Sequence, residues 1–341
     1  MKKLINKVRK QPAERPGRIT NETVAAHREQ ILAGGRKFKY PVQYARHRLV
    51  LNTIAIAAIT VLVLSGLTWY LLYQAQTTSK FMYRVTQLVP LPVARVDGEP
   101  VPYSEYLKKY RSDIHSLVQQ EQINLNSADG KRQSNYYKRR ELDAAVRDAY
   151  VTKLARQEGV SISLAKVDDF ITQTVSSKSI SLQAYERTVL NNFYDWSLDE
   201  YRGVVKARLL SREVNFKIDT AAKAKADDLA RKAVSGADFA QLAKDNSDDM
   251  ATKPGGGDAG TLPLDNQDPN GLVAAARKMN PGQVTGPIQG SDGWYVIKLI
   301  EKNDTSVHYA LIKVALTELD KRFDAVKKAG KVDEYIKVDK I

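Results

Sequence analysis

The longest apolar run in the chain extends from Leu49 to Tyr73 and carries no charged residue. About 20 residues of helix suffice to cross a bilayer, so this run is long enough to span one. Trp69 and Tyr73 lie at its far end, where aromatic rings favour the membrane interface, and Arg48 precedes its near end. The pattern predicts a transmembrane helix over residues 49–73.

A cleaved signal peptide and a buried core helix are the alternative interpretations of this run. The basic stretch before it is far longer than the charged region of a signal peptide, whose apolar run usually has about 7–15 residues. Core helices are rarely apolar on every face, whereas this segment is apolar on every face. Both alternatives therefore fit less well than a membrane anchor.

Charge is concentrated before the apolar run and predicts its orientation. Residues 1–48 contain 13 Lys and Arg against 3 Glu, which accounts for +10 of the formal net charge of +14. The positive-inside rule then predicts a cytoplasmic N-terminus, with everything after residue 75 outside the cell membrane. We interpret 1–48 as a topology signal with some attraction for anionic lipid headgroups. The position of these basic residues directly before the apolar run favours a topology signal, so we expect no nucleic-acid partner.

Hydrophobic periodicity predicts several helices on both sides of the apolar run. Residues 19–34 are expected to form a short helix that Asn21 caps and two glycines end. Residues 74–90 are mostly polar and are interpreted as a linker, and residues 126–139 as a loop. Apolar residues at Leu142, Val146, Tyr150 and Leu154 follow helical spacing, and further helices are expected over residues 163–175, 198–216 and, near the C-terminus, 317–341.

A glycine-rich stretch, TKPGGGDAGTLPL at residues 252–264, raises the question of a phosphate-binding loop. Such a loop needs a preceding strand, a following helix and usually a Lys-Ser/Thr pair. Here a helix-like charged segment precedes the glycines and a proline-containing segment follows them. We therefore expect the glycines to serve a sharp turn and close backbone approach.

Composition excludes several kinds of chemistry. The chain has no cysteine, so disulfides, thiolate nucleophiles and cysteine-ligated zinc are ruled out. Its four histidines lie far apart in sequence and show no metal-ligand spacing. We accordingly expect no metal and no cofactor.

Two regions resemble known families. The motifs VARVDGEPVPYSEY, ARQEGVSIS and KVDDFI within residues 91–216 resemble the N-terminal chaperone region of the SurA/PrsA family of extracytoplasmic foldases. The motifs SGADFAQLAKDNSDD, GGGDAG, MNPGQVTGPI and DGWYVIKLIE within residues 217–316 resemble a parvulin-type peptidyl-prolyl isomerase domain. The implied fold is a single transmembrane helix plus α+β, in which a helical chaperone domain is joined to a parvulin-like α+β domain with a small antiparallel sheet.

The resemblance implies a partly altered active site. The family's Asp/Cys position falls on Asp249, and the histidine expected in the last strand is replaced by Tyr295. Of the positions that form the proline pocket, the Leu position falls on Ala259, the Met position near Asp268 and the Phe position on Leu272. Tyrosine can still donate a hydrogen bond, but the pocket has lost apolar bulk.

A second histidine of the family belongs to a first strand that is missing before the helix at residue 221. Residues 307–313, VHYALIK, resemble that strand but follow the last one. A hairpin through KNDT would place them beside it. We therefore predict a circularly permuted domain with His308 in the place of the missing histidine. An ordinary strand residue in an extension is the alternative interpretation of His308.

The expected function is a membrane-anchored extracytoplasmic foldase, with peptidyl-prolyl isomerase and chaperone activity towards unfolded or newly secreted polypeptides. A catalytically inactive parvulin-fold chaperone or peptide-binding module is the first alternative. An envelope scaffold protein is the second.

Overall fold

The computed structural model of the chain describes residues 20–266 and 268–339, except for the side chains of residues 36–46. The first 19 residues of the predicted basic tail thus lie outside the described residues. The chain divides between Tyr70 and Leu71 into two compact units, which are described separately.

The first unit contains one long helix, α1 (Asn21–Trp69), which continues as a π-helical turn (Tyr70–Gln74). The prediction of a short helix ended by glycines was wrong, because Gly34 and Gly35 lie inside α1. Each interior glycine costs a helix only about 1 kcal/mol, which so long a helix tolerates. Thr20, not Asn21, is the capping residue. Residues His47–Gln74 form a 28-residue stretch long and apolar enough to cross a membrane.

The second unit begins with a region of packed helices and a β-hairpin. The two strands β1 (Pro92–Val96) and β2 (Glu99–Pro102) pair antiparallel around a turn at Asp97–Gly98, where both residues have positive φ. The helices are α2 (Lys80–Leu88), α3 (Tyr103–Gln119), α4 (Ala128–Gln157), α5 (Leu164–Ser176), α6 (Leu182–Tyr185), which continues as a π-helical segment (Glu186–Tyr194), and α7 (Leu198–Ile218).

Two segments predicted to be irregular are helical. The expected linker contains α2, whose Met82 and Tyr83 are buried in the core of this region. The expected loop at residues 126–139 belongs mostly to α4, which Ser127 caps by accepting a hydrogen bond from the N–H of Gly130 at 3.0 Å. Both segments are rich in polar residues because only one face of each helix is buried.

A second part of this unit is built on a four-stranded antiparallel sheet. Its strands are β3 (Asp258–Pro263), β4 (Val284–Gln289), β5 (Gly293–Lys302) and β6 (Ser306–Ala315), arranged in the order β3-β6-β5-β4. Two helices, α8 (Thr220–Val234) and α9 (Phe239–Asn246), cover one face, and α10 (Leu272–Arg277) covers the other. The predicted pairing of β6 with β5 in a hairpin is confirmed, and β6 lies between β3 and β5 although it comes last in the chain.

The C-terminal segment returns to the helices. It forms α11 (Glu318–Lys328) and β7 (Val332–Glu334), and β7 pairs antiparallel with β1. Leu319, Phe323 and Ile336 are buried in the same core as Leu142 and Tyr150 of α4. We call residues 71–218 and 317–339 the helical region, and residues 219–316 the sheet domain.

Asp219 connects the two ends of the sheet domain by hydrogen bonds. Its side chain is 3% exposed. One carboxylate oxygen accepts from the N–H of Ala222 at 2.9 Å, and the other accepts from Thr317 at 2.7 Å and Glu318 at 3.0 Å. Burial by itself would raise the pKa of Asp219, but these donors outweigh it and hold the pKa below its usual value. The carboxylate is thus ionised and bridges the entry and exit of the sheet domain.

Candidate active site

The face of the sheet that α10 covers carries the candidate site. Alternation along β5 directs Tyr295, Ile297 and Leu299 to this face and Val296 to the opposite one. The side chains on the α10 face form one apolar cluster, to which β6 and α10 also contribute: Leu272, Val273, Ala276, Met279, Tyr295, Ile297, Leu299, Val307, Tyr309 and Leu311. A polar group at the edge of this cluster would therefore face apolar surroundings.

Tyr295 supplies such a group. The residue is 3% exposed, and its hydroxyl donates to Oδ1 of Asp292 at 2.8 Å. Nδ2 of Asn270 donates to the same hydroxyl oxygen at 3.3 Å. Burial, and then the hydrogen bond to Asp292, raise the pKa of Tyr295 well above its usual value. The hydroxyl therefore stays protonated at neutral pH, and its one proton is donated to Asp292.

Lys313 lies across from Tyr295 in the hairpin and was missed by the sequence analysis. Its Nζ donates to Oδ2 of Asp292 at 2.5 Å and lies 6.0 Å from the centre of the Tyr295 ring. One carboxylate thus holds both the hydroxyl and the ammonium group. A hairpin centred near residue 304 pairs 295 with 313, so counting outward from KNDT would have identified this lysine.

His308 does not lie beside Tyr295, contrary to the sequence-based placement. It pairs with Glu301, and its Nε2 lies 2.7 Å from Oδ1 of Asp258. The five residues that separate it from Lys313 correspond to about 16 Å of strand. Residues 307–313 do form a strand beside β5, as predicted, but the register of the hairpin places Lys313 and not His308 opposite Tyr295.

Asp249 lies in the segment that connects α9 to the glycine-rich loop, and it is half-buried. Its Oδ1 accepts from both the N–H and the hydroxyl of Thr252 at 2.9 Å. The preceding residue, Asp248, donates its N–H to the carbonyl of Lys313 at 2.8 Å, which fixes the segment against β6. The charge of Asp249 contributes to the raised pKa of Tyr295, so the two residues belong to one electrostatic environment.

The three predicted pocket residues have different environments. Leu272 is buried in the apolar cluster, and the partly buried Ala259 packs against that cluster. Asp268 instead caps α10, because its carboxylate accepts hydrogen bonds from the N–H groups of Leu272 and Val273. The apolar wall is therefore completed by Met279, which is 3% exposed, and not by the residue at position 268.

The glycine-rich loop passes directly against β6 below this site. Gly257 has φ +83° and its carbonyl accepts from the N–H of Leu311 at 2.8 Å. A Cβ atom at this position would overlap the carbonyl oxygen of Leu311. The expected structural use of the glycines is confirmed at this position. Among the described residues, no three His, Asp or Glu side chains are placed to hold a metal ion.

Comparison with known proteins gives two family matches. The model described as SurA-like N-terminal domain matches residues 43–215, about half of the chain. The model described as PPIC-type PPIASE domain matches residues 212–301, which end before β6.

Individual relatives agree with these matches. Foldase protein PrsA of Caldanaerobacter subterraneus subsp. tengcongensis is 25% identical over 275 residues, which are 71% of this chain and 87% of that protein. Foldase protein PrsA 2 of Bacillus cereus is 39% identical over 77 residues, 23% of this chain and 27% of that protein. The crystal structure of foldase protein PrsA from Streptococcus pneumoniae is 20% identical in sequence, with a TM-score of 0.20. The match covers 57% of this chain and 76% of that chain.

Proposed function

Since the chain belongs to the SurA-like family of foldases with a PPIC-type parvulin domain, we propose that it isomerises X-Pro peptide bonds in unfolded or newly secreted polypeptides and holds them while they fold. The observation that carries this proposal is the Tyr295 hydroxyl, fixed by Asp292 at the edge of an apolar cluster.

Isomerisation requires no bond to be broken. The peptide bond rotates over a barrier of about 18–20 kcal/mol, which arises from amide resonance. A catalyst must bind the twisted amide more tightly than the planar one. The partly exposed Ala259 and Ile288, which pack on the cluster that contains Leu272, offer apolar surface to the proline ring. Donors that are already in place can favour the altered charge distribution of the twisted amide.

We assign the donor role to Lys313, whose ammonium keeps N–H donors beyond the one given to Asp292, and positioning roles to Asp292 and Tyr295, since the one hydroxyl proton of Tyr295 is donated to Asp292. The Tyr295 hydroxyl is protonated, and the ammonium of Lys313 is held across the strand pair. Asp249 remains in the proposed set because its charge acts on Tyr295. His308 is left out because it lies at the far end of β6.

We further propose that the sheet domain is a circularly permuted parvulin fold. In the family, the strand that bears the first histidine lies beside the last strand of the domain. Here β6 has that position beside β5 but follows it in sequence. The range that matches the parvulin family ends before β6 begins, which agrees with a strand supplied from the other end of the domain.

For localisation, we propose a single-pass anchor in the cell membrane with a cytoplasmic N-terminus. The support is the 28-residue apolar helix His47–Gln74 and the excess of Lys and Arg before it. The membrane partner is lipid around residues 49–73, and the helical region and sheet domain lie outside.

Exchange NMR on a short proline peptide tests the isomerase proposal, with the full chain in lipid nanodiscs. We expect the chain to accelerate cis–trans exchange and Tyr295→Phe to reduce the acceleration about tenfold, since Asp292 loses the hydrogen bond that holds it beside Lys313. His308→Gln is the matched control and should keep the parent rate. Equal rates for the parent and Tyr295→Phe would refute the role of the hydroxyl.

A second candidate function is a chaperone with this fold and no isomerase activity. Replacement of the family's histidines by Tyr295 and Lys313 favours it. It predicts suppressed aggregation of an unfolded client together with no acceleration of exchange for any residue preceding proline. Acceleration by the parent chain would exclude this candidate.

A further inference from the structure

A crevice of about 570 Å³ separates α7 of the helical region from the rim of the sheet domain. One wall consists of α7 residues at helical spacing, among them Arg208, Arg212 and Asn215. Ser291 and Asp292 line the opposite rim. The volume lies within the range of about 300–1,000 Å³ that is usual for ligand sites.

Two of the cations that line the crevice are not neutralised. Lys109 pairs with Asp148 at 2.9 Å, and the guanidinium of Arg147 pairs with a carboxylate of α11 at 2.6 Å. Arg208 and Arg212, in contrast, have no carboxylate partner among the described residues. The crevice wall therefore carries two positive charges that are available to a ligand.

The same wall contains polar atoms that are buried without a hydrogen-bond partner. Nε of Arg212 is an unused donor, and Oδ1 of Asn215, one turn further along α7, is an unused acceptor. Buried polar atoms normally find partners, and leaving one unpaired costs about 1–3 kcal/mol. An acidic peptide offers both missing groups, because its carboxylate accepts from a guanidinium and its backbone N–H donates to an amide oxygen.

The crevice also reaches the candidate active site. Asp292 lines its rim and is the residue whose carboxylate holds the hydroxyl of Tyr295 at 2.8 Å. A polypeptide lying in the crevice would thus pass the group that we assign to isomerisation.

The geometry points to a subsite for an acidic side chain: Arg208 and Arg212 bind an Asp or Glu that lies near the isomerised proline of the client. This inference rests on the proposed function, since it names the clients of that site. It makes acidic proline-containing segments the preferred substrate class. Arginine suits this task because its planar guanidinium matches a carboxylate and stays charged.

Binding of paired peptides tests this subsite separately from catalysis. The peptides are acetylated and amidated, which removes terminal charges, and they differ only in carrying Glu, Gln or Lys near one proline. Affinity is measured by fluorescence anisotropy, with the full chain in nanodiscs of zwitterionic lipid. We expect the Glu peptide to bind about tenfold more tightly than the Gln peptide, and this ratio to shrink at high salt.

Substitutions then assign the effect to the crevice. Arg208→Gln combined with Arg212→Gln should abolish the preference for Glu, whereas Lys217→Gln, an exposed charge of the same helix outside the crevice, should preserve it. Arg208→Glu should shift the preference towards the Lys peptide, a change that misfolding could not produce. A preference for Glu that survives the double substitution would overturn the subsite.

Failure of this inference and failure of the isomerase proposal can be told apart. Equal affinities of the parent chain for the Glu and Gln peptides would refute the acidic subsite, whatever the exchange rates. Tyr295→Phe should retain the preference for Glu while it loses acceleration. A free peptide carboxyl terminus that binds as tightly as the Glu peptide would make the site one for chain ends, which would refute the proposed side-chain recognition.

Discussion

Replacing Gly257 by alanine should lower the free energy of opening of the sheet domain much more than the same change at Gly260. Both glycines have positive φ, +83° and +71°, so both substitutions place an L-residue in the left-handed region. Around Gly260 there is open space, whereas a methyl group on Gly257 would overlap the carbonyl oxygen of Leu311. The pair therefore separates backbone strain from steric overlap.

The magnitudes follow from backbone strain, steric overlap and one hydrogen bond. Left-handed backbone costs about 1–2 kcal/mol for a residue other than glycine. At Gly257 the overlap adds about 1–3 kcal/mol, as overpacking usually does. Displacement of the loop would also break the hydrogen bond from the N–H of Leu311, worth about 1 kcal/mol. We expect about 1–2 kcal/mol for Gly260→Ala and about 3–6 kcal/mol for Gly257→Ala.

Hydrogen exchange read by mass spectrometry measures this opening in the full chain. A difference of 1.4 kcal/mol corresponds to a factor of ten in an equilibrium constant. Amides of the β5–β6 hairpin should thus exchange about 5 to 30 times faster in Gly260→Ala, and more than about 100 times faster in Gly257→Ala. Equal acceleration in the two variants would show that backbone conformation alone explains the glycines.

Two further predictions concern the helical region and its junction with the sheet domain. The low pKa of Asp219 contributes stability above about pH 4, which is lost as the pH falls through the folded-state pKa. Urea unfolding of Asp219→Asn should therefore show lower stability at pH 7 and a smaller loss between pH 5 and pH 3 than the parent; an unchanged loss would contradict this role. Phe323→Ala should cost about 3–5 kcal/mol, because the ring is 4% exposed and its centre packs 5.6 Å from that of the Tyr150 ring. Exchange should rise in α4 but not in the β5–β6 hairpin, and the reverse pattern would be inconsistent with this packing.

Features with a local signal could be predicted from the sequence. The apolar run, the helical spacing around Val146 and the Asp97–Gly98 turn each depend on neighbouring residues. The β5–β6 hairpin also has such a signal, because the polar KNDT segment separates two apolar strands. The glycine-rich loop was assigned correctly because its flanking segments are incompatible with a phosphate-binding loop.

The details of the site depended on register and long-range pairing. A β-bulge between Leu299 and Glu301 shifts the register near His308, and the family pattern, which expects a histidine, does not point to Lys313. The pairing of β7 with β1 joins residues more than 230 positions apart, and no local pattern reports such a contact. The role of Asp292, which directly precedes β5 and lies three residues before Tyr295, likewise becomes visible only once the side chains are placed.

The return of the C-terminal segment has a consequence for the order in which the protein matures. Domains generally fold as units while the chain is synthesised from its N-terminus. Every residue of the sheet domain is made before Leu319, Phe323 and Ile336, which complete the core of the helical region. The sheet domain can therefore finish folding before the helices that were synthesised earlier have packed against these three residues. A chain truncated before α11 would retain a folded sheet domain beside an uncovered apolar core, and would be a ready target for proteolytic quality control.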